Sequence, residues 1–183
     1  MNTLSKLFSA SLFAAAALLA APASSFAQAP AAAAEKKKNW TPPAHKIYAQ
    51  TLSEQVMAAH PELLSLTFHG VPPGQKEVYT MFAGSFPDRL GNADDPDDVD
   101  VIVKGITIVD PRWHRANDPV KKFVMMMPLR DASNENVGLL VAAYKLDANP
   151  GKGEKEFFLA GTELRDSLRK QIPSYAKLFE AAK

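Results

Sequence analysis

Two long apolar runs, residues 120–129 (VKKFVMMMPL) and 137–146 (VGLLVAAYKL), constrain this chain more than anything else in it. The segment between them, Asp131-Ala132-Ser133-Asn134-Glu135-Asn136, is rich in residues that turn the backbone, so the pair reads as a β-hairpin. Neighbouring residues on a strand face opposite ways, and here both sets are apolar. This part of the sheet must therefore be covered on each side.

The remaining elements arrange themselves around that hairpin. Thr41-Pro42-Pro43 is a helix-start signal, and Tyr48, Leu52, Val56 and Ala59 then form one amphipathic stripe that His60-Pro61 ends. The period then switches to two. Leu64, Leu66 and Phe68 alternate with Ser65, Thr67 and His69 up to Gly70, and residues 77–83 alternate again after the turn Val71-Pro72-Pro73-Gly74. Asp94-Asp95-Pro96 opens a second helix, with Val99, Ile102 and Val103 as its expected buried side and Gly105 as its stop. Residues 106–109 make a short strand. Phe157, Gly161, Leu164, Leu168 and Ile172 mark a C-terminal helix that Pro173 interrupts. The order predicts an α+β domain with a mainly antiparallel sheet and helices at both ends.

The N-terminus sets the expected location. Lys6, the apolar run 7–21 and Ser25-Phe26-Ala27 form an export signal with its cleavage site. The run is shorter than the ~20 residues that span a bilayer. The expected organisation is a signal peptide at 1–27, a disordered Ala/Pro/Lys linker at 28–40 and one domain at 41–183. A periplasmic or secreted, soluble product follows, with no membrane insertion after processing. The chain has 21 basic and 20 acidic residues, and losing Lys6 balances them, which argues against nucleic acid as a partner. It has no cysteine, so thiol chemistry and disulfides are excluded.

Three segments carry a family likeness. Residues 90–98 (LGNADDPDD) resemble a glycine followed by an acidic, proline-containing helix start. Residues 103–109 (VKGITIV) are similar to the strand that follows that helix, and Met127-Pro128-Leu129-Arg130-Asp131-Ala132 with Val137-Gly138-Leu139-Leu140 resembles a closing hairpin. The family is the single Cache domain, an extracytoplasmic relative of the PAS sensor fold. The resemblance covers roughly residues 44–172 and implies a PAS/Cache-like sheet that binds a small carboxylate, amino acid or amine. No transmembrane helix or signalling domain follows the C-terminal helix, so a membrane receptor or other partner protein is expected to read the bound state.

The expected ligand contacts are Arg112, Trp113, His114 and Arg115, where two guanidinium groups and an indole suit a carboxylate, together with Tyr79 and Tyr144 on strands. No catalytic residue, cofactor or metal is expected. Met125 and Met127 share a strand face and read as core filler. Helix capping accounts for Asp94, Asp95, Asp97, Asp98 and Asp100. His45, His60, His69 and His114 are scattered, and their spacing suggests no zinc site. Two other readings compete: an enzyme on a cone-shaped α+β scaffold using His69, His114, Tyr79 and Asp110, and an interaction or structural protein with no pocket.

The export reading makes a direct prediction. Protein recovered from its native host should begin at Gln28, or within a few residues of it, by N-terminal sequencing. A product starting at Met1 would overturn it.

Overall fold

The computed structural model describes residues 37–111 and 120–182, all within one compact unit spanning 35–183. The expected signal peptide lies outside the described residues. Helix α1 is Tyr48–Ala59, followed by β1 Leu63–Gly70, β2 Thr80–Gly84 and a single 3₁₀ turn, Pro87–Arg89. Then come α2 Pro96–Lys104, β3 Ile108–Asp110, β4 Lys122–Arg130, β5 Asn136–Lys145, α3 Glu154–Arg169 and the short α4 Tyr175–Leu178. The five strands form one antiparallel sheet in the order β2-β1-β5-β4-β3. The protein is therefore α+β, as the order of periodic segments predicts.

The hairpin β4–β5 lies inside the sheet, and both its faces are buried. Its turn is built by Asp131, whose Oδ1 accepts from the Ser133 and Glu135 amides at 2.9 and 3.0 Å. Asn134 takes the left-handed conformation there (φ 68°), which Asn tolerates better than most residues. On one face, Phe123, Met125 and Met127 of β4 and Leu140 and Tyr144 of β5 join Leu52 and Val56 of α1 and Phe157, Leu164 and Leu168 of α3. A Cβ at Gly161 of α3 would collide with the Met125 sulfur, so that glycine sets how closely helix and sheet approach. The opposite face holds a smaller core, in which Val101 of α2 packs on Val124, Met126, Leu139 and Ala143. Among the described residues no helix is long and apolar enough to cross a membrane.

Several local expectations are revised. Helix α1 begins at Tyr48 rather than after Thr41, because tertiary pairing supplies its first hydrogen bonds: the Tyr48 amide donates to Glu180 at 2.8 Å and Ala182 donates to Lys46 at 2.8 Å. The linker expected at 28–40 ends sooner. The Asn39 and Trp40 amides donate to the Gly91 carbonyl, and the Trp40 ring sits edge-on to Phe179 at 6.3 Å. Strand β2 starts at Thr80 instead of 77, since Glu77 has φ 57° and breaks the extended run. A bulge at Leu63/Ser65 puts Leu64 on the α2 face, away from Leu66 and Phe68. Within α2, Val103 is 62% exposed and Val99 half-buried, while Asp98 and Val101 are buried. The helix is rotated by its polar N-terminal turn: Asp98 is drawn down toward β1, and Val101, three residues on, follows onto the same face.

Gly138 illustrates the tightness of the β1/β5 contact. Its φ is 148°, and a Cβ there would strike the carbonyl oxygen of His69. We expect Gly138→Ala to destabilise the domain by about 1–3 kcal/mol, the usual range for overpacking, read as a lowered midpoint in urea denaturation. An unchanged midpoint would show that the two strands separate freely.

Candidate functional site

The period-two pattern of β1 places Thr67 and His69 on the same face of the sheet, two residues apart. That face is the one α2 covers. The chain between β2 and α2 returns Asp94 over it: the Ala93 amide donates to Lys37, the Asp94 amide donates to the Tyr79 carbonyl at 3.1 Å, and Thr80 and Ala93 form an isolated bridge. Asp95 then caps α2. The third residue of the helix, Asp98, reaches back so that its Oδ2 accepts from the Asp95 amide at 3.0 Å. The cap and the segment before it thus bring two carboxylates, Asp98 and Asp94, to the His69 ring.

The result is a linked polar cluster. His69 Nδ1 lies 2.7 Å from Asp94 Oδ1, and its Nε2 lies 2.8 Å from Thr67 Oγ1. The side chains of Asp94 and His69 are 1% and 12% exposed. Asp94 Oδ2 is buried with no hydrogen-bond partner among the described residues. A donor atom from each of His69, Asp94 and Asp98 lies within 4.8 Å of the other two. Burial holds the Asp98 carboxyl above its ordinary value. His69 and the Asp95 amide oppose that shift, while Asp94 and Asp97 reinforce it.

The expected ligand residues are dispersed. Arg112, Trp113, His114 and Arg115 lie outside the described residues. Tyr79 is half-buried just before β2, and its carbonyl, which accepts from the Asp94 amide, also accepts from the Asn39 side chain at 2.9 Å. Tyr144 lies opposite Leu63 at the far end of β1 and faces α3, with its ring 5.4 Å from Phe157. Burial raises its phenol. The structure does not bring Tyr79 and Tyr144 together. Asp110 pairs with Val124 at the β3 end of the sheet, three strands from His69. Of the competing enzyme groups, His114 lies outside the described residues, and Tyr79 reaches the cluster through its carbonyl, which accepts from the Asp94 amide. A surface depression of about 610 Å³, bordered by Lys38, Trp40, Pro42 and Gln75, contains none of the expected residues.

The residue spacing concealed this cluster. Its signals were present separately: alternation pairing Thr67 with His69, and an acidic helix start. Only the antiparallel return of the chain through β2 joins them. No family model, curated protein or solved structure matches this chain.

The elevated Asp98 pKa has a definite sign. A carboxyl whose folded value is raised is best accommodated below its unfolded value, and that advantage is lost as pH rises through the folded value. Asp98→Asn cannot ionise yet keeps an oxygen for the Asp95 amide. In metal-free buffer its melting temperature relative to wild type should therefore be more favourable at about pH 7 than at about pH 3. Equal differences at both pH values would refute the assignment.

Proposed function

We propose that this chain is an exported, sensor-type domain that binds a small ligand and performs no covalent chemistry, with a PAS/Cache-like scaffold. Supporting the scaffold, the three resembling segments fall on matching elements: residues 90–98 run into the start of α2, residues 103–109 pass from its end into β3, and residues 127–140 span the β4–β5 hairpin. A partner protein would then read the bound state.

The observation that carries the binding reading is Asp94. A buried carboxylate oxygen without a donor is costly, about 1–3 kcal/mol or more for a charged group. Here it stands beside a second carboxylate and an imidazole. Such a centre accepts a positively charged group. The small carboxylate expected from Arg112 and Arg115 rests on residues outside the described ones.

A second reading, an enzyme, draws on the alignment of Asp94, His69 and Thr67. A carboxylate on Nδ1 and a hydroxyl on Nε2 is the order in which a hydroxyl nucleophile is activated. Thr67 is only 6% exposed, however, which leaves its oxygen little access to substrate. Binding is the better-supported reading.

Thermal-shift measurements with amino acids, amines, metal ions, dicarboxylates and sugars test it. A ligand with positive charge should raise the melting temperature by several degrees near a hundredfold excess over Kd, equivalent to about 2.7 kcal/mol. Asp94→Asn should abolish the shift. If only anions or sugars act, or if the variant responds like wild type, the cluster is not the binding centre.

A further inference from the structure

We infer that His69, Asp94 and Asp98 form a site for a divalent transition-metal ion such as Zn²⁺. This rests on the reading of the cluster as a cation-accepting centre and names the cation. The three donor atoms already lie within 4.8 Å of one another. Donors bonded to one tetrahedral ion at about 2.0–2.2 Å stand about 3.4 Å apart, so His69 Nδ1 and Asp94 Oδ1, now 2.7 Å apart, must separate slightly as an ion enters between them. An organic ammonium would bring its carbon skeleton into the same space, where Asp94 is 1% and His69 12% exposed. A bare ion adds no such bulk.

The chemistry of the donors selects the kind of ion. An imidazole nitrogen favours zinc, nickel, cobalt or copper, whereas calcium takes six to eight oxygen ligands. The surrounding bonds are those that hold ligands in place. Thr67 Oγ1 sits on Nε2 of His69 at 2.8 Å, leaving Nδ1 directed at Asp94. Asp98 Oδ2 is held by the Asp95 amide at 3.0 Å. A ligating histidine normally has its second nitrogen engaged in this way. Independently of the clustering, Asp94 Oδ2 is buried with no donor among the described residues, and a metal ion would supply a positive partner. The neighbouring group of Asp95, Asp97 and Asp98 shares one member with the site, but Asp95 is exposed and serves as the helix cap.

Titration calorimetry of the full chain, first stripped with a chelator, tests the assignment with Zn²⁺ and Co²⁺. We expect one ion per chain, a Co²⁺ visible spectrum of mixed nitrogen and oxygen ligation, and a melting temperature that rises on metal addition. Thr67→Val should weaken binding about tenfold, and Asp94→Asn and His69→Gln by more than that. Where a variant fails to fold, paramagnetic displacement of the His69 ring resonances by Co²⁺ in wild-type protein provides the same information. Binding that survives all three substitutions, or leaves the His69 ring unaffected, overturns the site. If no metal binds but an amine does so through Asp94, the metal falls and the cation-binding centre stands. If neither binds, both fall.

Discussion

Burial of both faces of the β4–β5 hairpin is the constraint on which the rest of this structure depends. Antiparallel strands can leave one face to water, but Phe123, Met125 and Met127 alternate with Val124 and Met126, so neither face of β4 can be wetted without large cost. The domain answers with two unequal layers. Helices α1 and α3 close a broad core on one side, while α2, nine residues long, covers the other. So short a helix buries little apolar surface. Its N-terminal turn is secured by polar bonds from Asp95, Asp98 and the segment before them.

That asymmetry explains why the polar cluster is where it is. On the α1/α3 face, large side chains from β1, β4 and β5 leave no place for a charge. On the α2 face, β1 contributes Ser65, Thr67 and His69, and the helix that covers them opens with carboxylates. Burying these groups is tolerable because most are paired: His69 is bonded at both ring nitrogens, and Asp98 caps its own helix. Asp94 Oδ2 is the exception, and it gives the cluster its chemical character. The same residues therefore contribute to packing α2 and, in the proposed reading, to recognising a cation.

Much of the fold could be read along the chain because its signals are local. The Asp131–Asn136 turn, the Gly105 stop, the His60-Pro61 break and the stripe of Phe157, Gly161, Leu164 and Leu168 depend on backbone preference and on the period of one element; Ile172, expected on the same stripe, is buried but lies beyond the end of α3 at Arg169. Errors arose where a partner distant in sequence intervened. Thr41 does not start α1 because residues 180–182 pair with residues 46–48, and Val103 is exposed because Asp98 rotates α2. The site was less legible than the fold. Tyr144 has the composition of a ligand contact, yet its strand face directs it under α3, and a sequence pattern does not say which of two covered faces contains the larger core.

By itself the sequence determined the α+β class, the hairpin, the helix limits at His60-Pro61, Pro96 and Gly105, and the absence of cysteine chemistry, since each follows from residue type and short-range spacing. Only the tertiary structure decided the strand order, which face each helix covers, and the meeting of His69 with Asp94 and Asp98. Those outcomes depend on contacts between residues distant in sequence, 25 positions for His69 and Asp94 and far more for β1 with β5, whose geometry is set by how the intervening chain turns rather than by any period within it.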